Sequence, residues 1–259
     1  MLNKYLDGSF YHAAVISTKR THRVEPMQQI LGSIKATWYV TEGEEQAYVQ
    51  AGVPFGCVVG CPPNISEARN MAIADAREFG SCSIQTSDDL RHIRKLSLLN
   101  GKRHAERITL EAAIGVLLVS AAKTGRLYGG VAVTSNTLNY TGLDLSLDKF
   151  VACDLIFVAP ECPLFDTTMA LKEDYDMTLE LIVNGDGVFR CDNILCDFPH
   201  RDNKGGANTY RDAATEAAVT EKMFAKWGSL IEPHRTRRGQ ISLRRNAIAQ
   251  EVDFKRRTK

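Results

Sequence analysis

Two neighbouring carboxylates close the stretch Gln85-Thr86-Ser87-Asp88-Asp89-Leu90. Placed at the carboxyl end of a parallel strand, they would hold a hard divalent cation, Mg²⁺ or Mn²⁺, against a phosphate-bearing ligand. A simpler reading has Ser87 and Asp88 capping a helix through Arg91, Ile93, Arg94 and Leu96. Some twenty residues earlier stands Ser66-Glu67-Ala68-Arg69-Asn70-Met71-Ala72. Arg69, in the first turns of a helix, brings a guanidinium fork that grips phosphate or orients a carboxylate. The run Ser17-Thr18-Lys19-Arg20-Thr21-His22-Arg23 adds polar and basic groups to a third segment. Together the three suit a nucleotide diphosphate and its metal.

Positioning these groups requires strand ends side by side, and the first hundred residues alternate strand and helix signals. Ala13–Ile16, Ala36–Thr41, Gly56–Gly60 and Ser81–Thr86 read as strands. Between them come a helix that starts near Pro26 and stops at Gly32, another over Glu44–Gln50, and a third from a Ser66 cap to Gly80. That rhythm predicts an α/β fold, a mostly parallel Rossmann-type sheet with helices on both faces and ligands at the carboxyl ends of its strands. Further on, the spacing predicts a long buried helix over Ala105–Thr124 and strands over Tyr128–Thr134 and Phe150–Val158. It also predicts a hairpin of Thr178–Val183 with Gly187–Arg190 about Asn184-Gly185-Asp186-Gly187, and a helix over Ala213–Trp227.

Of 259 residues, 44% are hydrophobic and 24% charged, which excludes a disordered or low-complexity chain. The net charge of +1 conceals an asymmetry: residues 234–259 hold nine Lys/Arg against two Asp/Glu, +7, so residues 1–233 carry −6. The cationic end includes Arg235, Arg237, Arg238, Arg244 and Arg245, suited to nucleic-acid phosphates, or else a solubilising terminus. No apolar leader is read in Met1–Tyr11, and the longest apolar run, Ala112–Ala122, is too short to span a bilayer. An odd seven cysteines without a C-x-x-C pair imply free thiols, so a cytoplasmic protein without membrane contact is expected.

The Ser-x-x-Arg-Asn helix followed by a strand ending in acids resembles the GT-A class of nucleotide-sugar glycosyltransferases. In that class an Asp-x-Asp cluster holds the metal that bridges the sugar-nucleotide pyrophosphate. Here the cluster is Ser87-Asp88-Asp89, with Asp89 in the metal-facing position and Asp88 in the middle one. The resemblance further implies a catalytic base in Lys172-Glu173-Asp174-Tyr175, Asp174 first and Glu173 in reserve, and a late histidine, His200, completing the metal shell. Lys204, Gly205 and Gly206 would approach the diphosphate, with uridine near Ser17–Arg23 and Thr41.

More narrowly, residues 13–211 resemble the TET-associated glycosyltransferases of bacteriophages and fungi, through the Arg-Asn helix, Ser-Asp-Asp-Leu-Arg-His-Ile-Arg, Glu-Asp-Tyr and the His-to-Gly-Gly loop. That family implies transfer of a sugar from a UDP-sugar to 5-hydroxymethylcytosine in DNA, in a host cytoplasm if the gene is a phage's. The chain then divides into a GT-A-like domain over 1–211, with a nucleotide-sugar half (1–100) and an acceptor half (101–211), and a C-terminal helix and basic tail over 212–259. Other readings are a glycosyltransferase for a protein or small molecule, a nucleotidyltransferase, and a non-catalytic nucleic-acid-binding protein. A nucleotidyltransferase would want a glycine-rich loop after the first strand, and that loop has no glycine.

Overall fold

A computed structural model describes residues 11–140, 145–198, 206, 211–235 and 240–258. Its strands, in chain order, are β1 (Tyr11–Ile16), β2 (Ala36–Thr41), β3 (Val58–Cys61), β4 (Cys82–Ser87), β5 (His92–Leu99), β6 (Lys102–Ile108), β7 (Tyr128–Ala132), β8 (Ser146–Leu147), β9 (Leu155–Val158), β10 (Phe189–Asp197), β11 (Ile231–Pro233) and β12 (Ile241–Leu243). The helices are α1 (Val24–Leu31), α2 (Glu45–Gln50), α3 (Ile65–Glu78), α4 (Leu110–Thr124), α5 (Glu173–Asn184), α6 (Ala213–Trp227) and α7 (Arg245–Thr258).

One sheet runs in the order β3-β2-β1-β4-β9-β7-β10-β5-β6, with β8 beside β10, and β11-β12 form a separate pair. The strands from β3 to β4 are parallel, as the alternation predicts, and β7 is parallel to β10. β9 runs antiparallel between β4 and β7, and β5 and β6 extend the far edge as an antiparallel hairpin. The fold is therefore α/β with a mixed sheet. The period-2 alternation of its strands feeds two cores. In β1, Ala13 and Val15 face the α1 and α4 side with Met27, Trp38 and Leu117, while Ala14 and Ile16 face Ala68 and Ala72 of α3. In β9, Phe157 joins the first side and Ile156 and Val158 join α5 on the second.

Four local expectations are corrected. Residues 105–108 belong to β6, and the buried helix starts only at Leu110, where Thr109 caps it by accepting from the Ala112 amide at 3.1 Å. Thr178–Val183 lies in α5, not in a hairpin strand, and Gly185, at φ 93°, is the left-handed residue that ends that helix. The Phe150–Val158 strand shrinks to Leu155–Val158. Arg91–Leu96 is no helix, since β5 starts at His92. The apolar stretch Ala112–Ala122 is buried as α4, the seven cysteines are all free, and no helix among the described residues is long and apolar enough to cross a membrane.

Candidate functional site

A cleft of about 270 Å³ opens at the carboxyl ends of β1, β2 and β4. Thr18, Lys19, Arg20, Thr41, Arg69, Asp88, Asp89, Asp154, Gly206 and Arg211 are among its lining residues. The loop after β1 turns without glycine because Lys19 takes φ 53°, its amide donating to Glu44 Oε2 at 2.8 Å. The Thr18 and Thr41 hydroxyls bond each other across the ends of β1 and β2. Ser17 lies deeper, its hydroxyl shared between Tyr48 and Asp88 Oδ2.

Asp88 is fully buried, and Arg20 donates from Nη1 to Asp88 Oδ1 at 2.7 Å and to Asp89 Oδ2 at 3.2 Å. Burial pushes the Asp88 carboxyl up to about 6, with the Asp89 charge adding to the rise, against the opposing pull of Arg20 and the Ser17 hydroxyl. Asp88 is thus consumed in holding the β1 loop onto the turn after β4. Arg23 braces the same turn, donating to the Asp88 and Leu90 carbonyls at 3.3 and 3.2 Å. Gly206 closes over this ion pair: its amide donates to the Thr18 carbonyl at 2.9 Å, its φ is 61°, and a Cβ there would fall 2.6 Å from the Arg20 guanidinium.

α3 begins at Ile65, and its cap is Asn64, whose side chain accepts from the Ser66 amide at 2.9 Å; Ser66 instead bonds the Met169 carbonyl. Arg69 is buried and donates to Glu173 Oε1 at 3.4 Å, Gln85 Oε1 at 3.3 Å and the Cys153 carbonyl at 3.1 Å. Its fork therefore orients a carboxylate from the floor of the cleft. Asn70 does not line the cleft; it clasps the Phe165 backbone, donating to its carbonyl at 2.9 Å and accepting from its amide at 2.8 Å.

That clasp is one rung of a longer arrangement. Arg77, Asn70, Ser66 and Asn64, in order back along α3, bond the carbonyls of Pro160 and Cys162, Phe165, Met169 and Thr167. A segment without regular structure is thereby laid along the helix with its backbone groups satisfied by side chains. It ends at the first turn of α5, beside Arg69. There Glu173 serves as the counter-ion of Arg69. Asp174 lies behind the cleft wall, and burial, then the Glu173 charge, pushes its carboxyl up to about 8. The two adjacent acids differ in partners, Glu173 facing Arg69, and the Glu173 charge is part of what raises the Asp174 carboxyl. Acids in a first turn also suit the helix dipole.

Asp154 is the cleft residue that sequence reasoning missed. Because β9 is antiparallel, its start lies beside the end of β4: Thr86 pairs with Leu155, and the Ser87 amide donates to the Asp154 carbonyl at 3.2 Å. An acid preceding an apolar run is the signal present in the sequence, but it points to the site only once the strand direction is known. Arg211, which also pairs with Glu216 at 3.7 Å, was missed too.

Among the described residues, no three His, Cys, Asp or Glu side chains gather as a metal-binding group. Asp89 and Asp154 both line the cleft; a Mg²⁺ or Mn²⁺ ion bound by such a pair would take the rest of its shell from substrate phosphates and water. His200, Lys204 and Gly205 lie outside the described residues, as do Arg237 and Arg238. Arg235 and Arg245 are exposed, while Arg244 reaches the Ser229 carbonyl at 3.1 Å and Glu232 at 3.9 Å. The basic end is folded: Ile241 and Ile248 are buried against the α5 side of the sheet. Compared with known proteins, the chain matches no protein-family model and no curated protein.

Proposed function

We propose that the protein is a GT-A-type glycosyltransferase that moves a sugar from a UDP-sugar to the hydroxyl of 5-hydroxymethylcytosine in DNA. The observation that carries this reading is the cleft at the strand ends, lined by Asp89 and Asp154 together with hydroxyls and cations of the β1 loop. Such a crevice is where open α/β sheets receive nucleotides. The UDP-sugar and the modified base come from the family resemblance.

In this mechanism Thr18, Lys19 and Thr41 line the nucleoside side, and Asp89 and Asp154 would hold a divalent ion. That ion supplies positive charge where the departing diphosphate becomes more negative. Arg20, fixed by Asp88, adds a guanidinium to the same wall, and Gly206 lets backbone approach it closely. Arg69 and Glu173 fix the start of α5, and Asp174, set back from the lining, takes the proton of the acceptor hydroxyl through one bridging water as the hydroxyl oxygen attacks the sugar carbon and the bond to diphosphate breaks.

The test incubates the protein with Mn²⁺, a panel of UDP-sugars, and DNA with or without hydroxymethylated cytosine, reading UDP release and DNA mass. Release is expected only with the modified DNA, and Asp89→Ala is expected to lower it at least about 100-fold, the scale of losing one charge-stabilising group. Lack of DNA-dependent turnover with every donor would sink the proposal.

A further inference from the structure

Besides the carboxyl-terminal segment, the β5–β6 hairpin carries a dense cluster of cations. Residues 91–108 contain Arg91, Arg94, Lys95, Lys102, Arg103 and Arg107 against the single acid Glu106, net +5 on a chain whose first 233 residues sum to −6. Arg91, Lys95, Lys102, Arg103, His104 and Arg107 are exposed. The side chains of Arg91, Lys95, Lys102 and Arg107 make no hydrogen bond or ion pair among the described residues. In the ladder, Arg94 stands directly opposite Arg107, a like-charge pair that destabilises an isolated hairpin and that a polyanion would relieve.

Lysines along an edge strand also deter sheet-to-sheet aggregation. That role does not explain the tip, where Leu98 and Leu99 are 49% and 56% exposed beside Asn100-Gly101 and opposite Arg103 and Lys102. Apolar side chains flanked by cations match the surface of nucleic acid, in which sugars and base edges lie between rows of phosphates. A two-stranded ribbon also has the width that the major groove of a duplex admits.

The ribbon's place in the fold ties it to the site. β5 starts three residues after Asp89, and the Arg91 amide is anchored to the Asp197 carbonyl at 3.0 Å. From His92 to Leu99 the strand extends roughly 23 Å at about 3.3 Å per residue. Its inner part is fixed by Ile93 and Leu96 in the core, by Arg94 on the Ser135 carbonyl and by Arg103 on the Tyr140 carbonyl. β5 runs antiparallel to β10, so the root of the ribbon lies at the carboxyl edge that bears the cleft, four strands along from β4, and its tip points toward the opposite edge; a duplex on the ribbon approaches the cleft from the root.

We infer that the β5–β6 ribbon is the docking surface for duplex DNA, entering a groove with Lys95, Leu99 and Lys102 on one face and Leu98 and Arg107 on the other, so that cations of both faces neutralise the flanking phosphates and the leucines meet sugars and base edges. The identity of the polymer as DNA rests on the proposed acceptor. The test measures binding of an unmodified fluorescent DNA duplex by anisotropy across a salt series, for the wild type and for Lys95→Gln/Lys102→Gln/Arg107→Gln. The slope of log affinity against log salt is expected to fall by about 2.7, and affinity near 0.1 M salt by on the order of 100-fold. UDP affinity should stay unchanged.

A triple variant with wild-type slope and affinity would overturn the ribbon. If that variant does not fold, acetylation of Lys95 and Lys102 in the wild type should be suppressed by the duplex, and equal labelling with and without DNA would overturn it as well. Equal binding of duplex RNA would overturn DNA as the partner. Ribbon-dependent binding without sugar transfer would sustain the ribbon and remove only the enzymatic proposal.

Discussion

Asp174→Asn is expected to lower sugar transfer by about 10²–10⁴-fold while leaving UDP-sugar binding unchanged, because the amide cannot accept the acceptor's proton. The wild-type pH profile carries the same assignment. With the carboxyl pushed up to about 8 by burial and the Glu173 charge, the basic form is a minority at pH 7. The rate under kcat/KM conditions should rise with pH through the neutral range and level off at mildly alkaline pH. A profile flat from pH 6 to 9, or an Asn variant of wild-type rate, would remove Asp174 as the base. Glu173→Gln separates the neighbouring acid, since it deprives Arg69 of its counter-ion and acts through the placement of α5.

Arg20→Ala is expected to destabilise the fold by about 3–5 kcal/mol, the scale of stripping one partner from a buried ion pair. Arg20 and Asp88 side chains are 8% and 1% exposed, so water cannot replace the lost guanidinium. The effect depends on pH. In the wild type, the folded-state carboxyl near 6 lies above the unfolded value near 4, so the native state binds more protons across that window. Stability therefore falls as pH rises from about 4 to 6, and that loss is complete above 6. Without Arg20 the folded value moves higher and the window widens upward. Denaturant titrations should show the deficit fully at pH 8 and reduced at pH 4, where Asp88 is protonated in either protein. A deficit independent of pH would mean that Arg20 contributes by packing alone.

The half of the fold that builds most of the cleft was legible because its signals are local. Ala36–Thr41 and Ala213–Trp227 coincide with their elements, and Gly32 and Gly80 stand just beyond helices. What failed depended on pairing. His104-Ala105-Glu106-Arg107 has helical composition, yet it forms an edge strand because β5 is there to pair with it. Asn184-Gly185 stops a helix as readily as it turns a hairpin, and the difference lies in whether Thr178–Val183 finds a sheet or a helical face to bury. Asp154 was invisible for a related reason: a residue at the start of a strand reaches the carboxyl edge of a parallel sheet only when that strand is reversed. Ser17, Arg20, Arg69, Asp88 and Asp89 were found because each follows, or closely flanks, a strand whose direction the alternation predicts.

The lacing of residues 160–169 along α3 gives that irregular stretch the properties of a ruler. Ordinary surface loops absorb an added or deleted residue at little cost, since closure entropy changes slowly with length. Here the side chains of Arg77, Asn70, Ser66 and Asn64 grip backbone groups at several points between Pro160 and Met169, and the start of α5 follows the last grip by a few residues. Adding or removing one residue would shift the chain by about 3.3 Å against fixed rungs. Length in this segment is therefore tightly held, and homologous chains should vary in the composition of the segment before they vary in its count.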